Sequence, residues 1–438
     1  MSMGQLWPCG GGGIVNRNDL AFFGGQPVVT EPLPHFHWPL LGKEEERAVL
    51  KVLRAGEISI YGRSGIVADL EDQMARYFGV KYVLSTNSGT AALFAAYFAM
   101  NLPEGSEVIV PTYTFPATVT PLLHLPVRIV FSDADPLTGN VTLASIRERV
   151  TANTSAIVVT HMWGLPCEMA EILGFCGKRQ IRVIEDASHG IGATYHGKLV
   201  GTLGDVGCLS LQANKLACAG EGGVLLTNDQ AVYERATLVA TFRQRPREVV
   251  KNPDLLRFWE TGLGLKLKIH PLGAAIALEQ LAKVPTLIAE RHLRLRRLSA
   301  MLTEAKGVQP PVDMQGCERG AWYGYKPLFV NDEVHIKDIE LYLELLRAEG
   351  LDVHKPGTRP LHMTPLFSEV GDNRDRWMDC QGFYRRRPTL SRRSFPGAEA
   401  YYRRAISVPT FTTESIELVE SYGRAFQKVG EVIAHETI

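Results

Sequence analysis

The chain has no C-x-x-C pair, and its seven cysteines are odd in number. This excludes a closed disulfide framework and a zinc knuckle, and leaves buried or free thiols in a reducing cytoplasm as the expectation. Charge of one sign is also missing. Lys and Arg total 47 and so do Asp and Glu, so no global field draws the chain to nucleic acid or to a membrane. No apolar run approaches the roughly 20 residues that cross a bilayer. The N-terminus lacks a basic stretch followed by an apolar core, so no signal peptide is expected. A G-x-G-x-x-G fingerprint after the first strand is absent, which argues against a nucleotide-binding α/β protein. His and Cys at metal-ligand spacing are absent too, and no metal is expected.

What is present is ordinary for a globular protein: 438 residues, 45% hydrophobic and 21% charged. Between residues 82 and 229, short apolar runs alternate with helical or turn segments. Runs of this kind at 82–84, 107–110, 128–131, 156–160, 181–184 and 206–211 predict a mostly parallel sheet covered on both faces, hence an α/β fold. Ligands bind such sheets beyond the carboxyl ends of the strands. A long helix over 279–297 leaves this region. A strand-like 325–330 and helices at 336–349 and 414–433 then predict a smaller α+β domain. The expected division is a large domain over 20–285 and a small one over 286–438, with 1–19 a flexible leader that includes the run Gly10 to Gly13.

Several polar residues fall where those strands end. Lys215 follows the 206–211 run and precedes Gly220-Glu221-Gly222-Gly223. A loop lysine is usually a solvated charge; one held at a buried strand end has its pKa lowered and its lone pair freed for Schiff-base chemistry. Asp186 ends another strand and is either a structural carboxylate or a partner for a protonated pyridine nitrogen. Ser88-Gly89-Thr90 opens a helix directly after a strand, where free N–H groups and the dipole favour a phosphate. Ser210 could add a hydroxyl to the same group. Phe115 is core or a stacking ring. His161 reads as a satisfied structural group.

Taken in order, five motifs resemble the DegT/StrS family of sugar aminotransferases, a branch of the fold-type I pyridoxal phosphate (PLP) enzymes. They are Ser88-Gly89-Thr90-Ala91-Ala92-Leu93, Pro111-Thr112-Tyr113-Thr114-Phe115, His161-x-x-Gly164, Glu185-Asp186-Ala187-Ser188-His189-Gly190-x-Gly192-Ala193, and Ser210-x4-Lys215 with its glycines. The resemblance implies that Lys215 forms the Schiff base and shuttles protons, and that Asp186 pairs with the ring nitrogen. It places His189 near the ring hydroxyl or face, stacks Phe115 on the ring, and gives the phosphate to Ser88, Gly89, Thr90 and Ser210. It implies a homodimer whose partner completes each site through residues 262–271. Lys266 stands where many members carry Asn; a lysine could serve there as a point charge on the phosphate. That departure is more like the members acting on cyclitols, on aminohydroxybenzoate precursors and on some nucleotide sugars.

The implied reaction moves an amino group from glutamate or glutamine to a keto group of a sugar, nucleotide-linked in the first reading and a free keto-cyclitol in the second. The dehydratases of the same fold replace the lysine, typically by histidine; Lys215 is intact. A binding module that has lost turnover is the rival from another class, and the intact Asp186, Lys215 and phosphate motifs argue against it. For the substrate pocket the sequence offers His362 and, in the arginine-rich stretch 374–404, Arg386 and Arg387, which could grip a diphosphate or equally form a solvated face.

Overall fold

The computed structural model describes residues 16–332, 334–368 and 395–438. Seven strands form its central sheet: β1 Tyr82–Thr86, β2 Glu107–Pro111, β3 Arg128–Ser132, β4 Thr154–Thr160, β5 Arg182–Asp186, β6 Val206–Ser210 and β7 Gly223–Thr227. Their spatial order is β1-β7-β6-β5-β4-β2-β3. The pairs β2–β3, β2–β4, β4–β5 and β5–β6 are parallel; β7 runs antiparallel to both β1 and β6. The mostly parallel α/β sheet expected from the sequence is therefore present. Every residue of β2 and of β7 is buried, as continuous apolar strands require when both faces are covered.

The helices that matter for the site are α1 Lys43–Ala55, α2 Gly65–Phe78, α3 Gly89–Ala99, α4 Gln230–Ala240, α5 Pro271–Thr303, α6 Ile339–Ala348 and α7 Ile416–His435. Helix α3 is almost wholly alanine, leucine and aromatic, and eight of its eleven residues are buried. A helix apolar on all sides belongs inside the protein, and α3 lies between α4 and the strands β6 and β7. Ser88 caps it, its hydroxyl accepting from the Ala91 N–H at 3.1 Å.

Helix α5 is longer than the 279–297 span predicts. His270 accepts from the Leu272 N–H, Pro271 occupies the first turn, and the helix continues through Pro285. An eighteen-residue window of α5 is apolar enough to cross a membrane by length and composition, which corrects the expectation that no such segment exists. Its Ala274, Ala277, Leu281 and Val284 are buried in one core cluster, under α2 and the sheet, while Leu295, Leu298 and Leu302 belong to a second cluster with α6 and α7. The 285/286 division thus falls inside α5. Leu20 and Val29, from the N-terminal segment, pack into the second cluster.

The strand expected at 325–330 is reduced to Leu328–Phe329 with single bridges Tyr325↔Val408 and Leu328↔Ala405. Pro327 accepts from the Ile406 N–H at 2.9 Å but has no N–H to return, so a continuous ladder cannot form.

Candidate active site

The carboxyl ends of the parallel strands deliver the site. Asp186 is the last residue of β5 and is buried. Its Oδ2 accepts from the Thr118 hydroxyl at 2.6 Å and its Oδ1 from the Ser188 N–H at 3.1 Å. Thr118 is within 2.7 Å of the Thr114 hydroxyl, which is 3.0 Å from that of Thr160. This buried hydroxyl chain fixes the carboxylate in place.

Lys215 stands in the turn between β6 and β7 and is 8% exposed. Its backbone N–H donates to the Gln212 carbonyl, and its carbonyl accepts from the Trp38 indole N–H at 3.3 Å. Its Nζ is 3.6 Å from the Tyr323 ring centroid. Burial lowers the amine to about 7, against an opposing pull from Asp186. His189 is buried, its ring stacked on Tyr323 at 3.9 Å and on Trp163 at 5.5 Å. Burial, and then the charges of Lys215 and Lys326, push this imidazole well below its ordinary range. Its Nδ1 has no hydrogen-bond partner among the described residues.

Gly89 begins α3 against the end of β6: a Cβ there would lie 2.8 Å from the Ser210 Cβ. A Cβ on Gly223 would lie 2.2 Å from the Ser88 carbonyl oxygen. Only glycine lets the helix N-terminus come this close to the strands. Ser88, Gly89 and Ser210 are thereby brought together, with Thr90 exposed beside them.

A cavity of about 690 Å³ opens next to Lys215. Phe115, 57% exposed, forms part of its wall, with Trp163 and Asn214 from the sheet side and Tyr323 from beyond α5. Arg291 of α5 and Lys326, His354 and Arg359 from the C-terminal part complete it.

The other sequence candidates fall elsewhere. Lys266 is exposed on a loop that runs beside Thr86–Asn87, where the Asn87 N–H donates to the Leu267 carbonyl at 2.6 Å. His362 does not line the cavity: its Nδ1 is 2.7 Å from the Thr112 hydroxyl, its Nε2 3.4 Å from Glu399, and its ring lies against Phe395. These contacts hold it in the packing between the cavity-lining Arg359 and Thr364 in the chain. Arg386 and Arg387 lie outside the described residues. His161 is structural, as read: its Nδ1 accepts from the Cys167 N–H and its Nε2 donates to Glu185. No metal-binding group of His, Cys, Asp or Glu occurs among the described residues.

Sequence reasoning missed Tyr323, Lys326, Arg291 and the threonine chain. Tyr323 and Lys326 sit in an aromatic run that reads as core, and Arg291 sits in an arginine-rich helix that reads as solvated. Nothing local marks any of them.

The sequence model of the DegT/DnrJ/EryC1/StrS aminotransferase family matches residues 39–422. The chain belongs to that family. A GDP-perosamine synthase of Caulobacter vibrioides is 31% identical over 76% of this chain and 86% of its own length. An L-glutamine:2-deoxy-scyllo-inosose aminotransferase of Streptomyces kanamyceticus is 30% identical over 81% and 84%. Among solved structures, an aminotransferase from Psychrobacter cryohalolentis superposes with a TM-score of 0.79 at 25% identity, over 90% of this chain and 98% of that one. The site residues of this aminotransferase fit PLP. The Gly89–Ser210 approach sets a helix N-terminus beside a serine hydroxyl, the donors a phosphate needs, Asp186 offers a carboxylate, His189 an unused ring nitrogen, and Lys215 an amine titrating near neutrality.

Glu185, next to Asp186, holds the frame. Its carboxylate takes His161 Nε2 at 3.0 Å and the N–H groups of Gly201, Leu203 and Gly204 at 2.6–2.8 Å, all buried or partly so. Glu185→Ala strands these donors and is expected to cost about 3 kcal/mol or more, read as a lowered urea midpoint.

Proposed function

We propose that this PLP-dependent aminotransferase moves an amino group from glutamate or glutamine to the keto group of a nucleotide-linked sugar. The observation that carries the reading is Lys215: a buried amine lowered to about 7, beside a substrate-sized cavity that its neighbours Asn214 and Tyr323 line, and within the electrostatic reach of Asp186. The GDP-perosamine synthase relative supports the nucleotide-linked acceptor. The 2-deoxy-scyllo-inosose aminotransferase relative supports a free keto-cyclitol, the second reading.

When bound, PLP supplies an aldehyde carbon and an electron-withdrawing ring. The chain's residues do the rest. Asp186, its position fixed by Thr118, keeps the ring nitrogen protonated. His189, with its unpartnered Nδ1, would stand at the ring hydroxyl or face, and Phe115 would stack on the ring. Ser88, Gly89, Thr90 and Ser210 hold the phosphate, with Lys266 reaching it from the partner of a homodimer. A half-neutral Lys215 amine at pH 7 would hold the cofactor through its aldehyde carbon and, when free, would take and return the proton of the donor α-carbon. The described cysteines are unpaired, four of the five buried, which supports action in the cytoplasm.

The test is the visible spectrum of the protein with PLP. Glutamate or glutamine is expected to bleach the yellow band, and a subsequent addition of nucleotide-linked ketosugar, but not free keto-cyclitol, to restore it. Restoration by the cyclitol alone would favour the second reading, and no bleaching by either donor would sink the aminotransferase assignment of the site. Gly89→Ala places a methyl group where Ser210 stands and is expected to weaken PLP retention about tenfold or more, measured by titration of the apoprotein.

A further inference from the structure

The cavity beside Lys215 has an unbalanced charge. Its described lining includes Arg291, Lys326, His354 and Arg359, and not one carboxylate. Lys326 is the residue that stands out. It is half-buried, and its Nζ lies 4.7 Å over the Trp163 ring. It makes no ion pair or hydrogen bond among the described residues. Its neighbour Tyr325 is fully buried in the C-terminal core, and successive side chains of an extended segment face opposite ways, so Lys326 is turned out of that core into the cavity. Residues 325–328 run beside 405–408, and 407 beside 354, which brings Ser407 and His354 to the same wall.

Arg291 is fixed from behind. Its Nε donates to the Thr412 hydroxyl and its Nη1 to the Ala321 carbonyl, and the guanidinium lies 4.4 Å over the Trp38 ring. It too forms no ion pair among the described residues, and Glu414, the acid that acts on it, does not line the cavity. Burial pushes Lys326 down to about 7 and Arg291 down to about 9. Buried cations without counter-ions are costly, and they persist where a ligand supplies the missing charge.

The aromatic stack connects this wall to the reacting amine. Lys215 lies over Tyr323, Lys326 lies over Trp163, and the two rings are parallel with centroids 6.2 Å apart. Trp163 is held at a φ of +54°, in the left-handed region that bulky residues avoid. That backbone turns its ring between His189 and Lys326.

We propose that Lys326, with Arg291 and His354 beside it, is the anchor for an anionic group of the substrate, a carboxylate or a phosphate, which docks while the amine or ketone end meets Lys215. This rests on the aminotransferase reading of the same cavity. The shared chemistry has two sources: the carboxylate of the amino donor, and an acidic group on the acceptor.

The experiment is calorimetric titration of the PLP-loaded protein with glutarate, a donor-like dicarboxylate that lacks the amine, and separately with inorganic phosphate. Wild type is expected to bind at least one of them. Lys326→Met is expected to weaken that binding about tenfold or more, and Lys326→Arg to keep it within about threefold. The visible band of the bound cofactor reports that each variant is folded; if the Met variant loses it, Lys326→Gln carries the same test. Weakening for glutarate alone assigns the subsite to the donor, and for phosphate alone to the acceptor. Unchanged binding of both in the variant, or no binding of either by a wild-type protein whose band glutamate still bleaches, would overturn the proposal. A wild-type band that neither donor bleaches is instead a failure of the aminotransferase reading, which the titration does not depend on.

Discussion

Replacing Lys215 by Ala is expected to leave a folded protein that shows no lysine-bound cofactor band and turns over at least about 10^3-fold more slowly. Both of the roles proposed for this residue vanish together: attachment of the cofactor and the movement of the α-carbon proton. The fold survives because burial works against this side chain. The amine titrates near 7 in the folded chain and at 10.5 in the unfolded one, so the unfolded chain binds more protons between those values. Stability of the apoprotein therefore rises as the pH climbs from about 7 to about 10.5. Lys215→Met removes that dependence and is expected to be more stable at pH 7, by an upper bound of roughly 4 kcal/mol. Urea unfolding of the two apoproteins at pH 7 and at pH 10 measures it. Equal slopes with pH would show that the amine is solvated. In the same way, capture of PLP by the wild-type apoprotein is expected to speed up as the pH rises through about 7, where the amine loses its proton.

Asp186→Ala is expected to lower the rate by about 10^2- to 10^3-fold and to weaken PLP retention in the same variant. The carboxylate sits at the end of β5 with one oxygen on the Thr118 hydroxyl and the other on the Ser188 N–H. A charge held this way needs no reorganisation to face a protonated ring nitrogen. Thr118→Val removes one support and leaves the charge, so a smaller loss, about tenfold, is expected, with retention of PLP nearly unchanged. Steady-state kinetics and apoprotein titration separate the two cases. Full activity in the Asp186 variant would refute the ring-nitrogen assignment.

Local sequence was sufficient for the sheet and for the chain positions of the candidate site residues along it. The apolar runs are strands because their length and lack of alternation fit two covered faces; Asp186 ends β5, and Ser88-Gly89 and Lys215 follow β1 and β6 in the chain whatever the packing. The chain order of the motifs was enough to indicate the family. The tertiary structure decided which other residues meet them. Tyr323 and Lys326 come to Lys215 and Trp163 from more than a hundred residues away, through a segment that Pro327 keeps from becoming a regular strand. Arg291 looks like its neighbours on α5 until Trp38, Thr412 and Ala321 are seen around it. His362 has the composition of a pocket residue, yet Thr112, Glu399 and Phe395 hold it in the packing. The physical reason is the range of the causes. Strand and helix signals arise from residues a few positions apart, whereas burial of a charge and the absence of its counter-ion depend on segments that only the folded chain brings together.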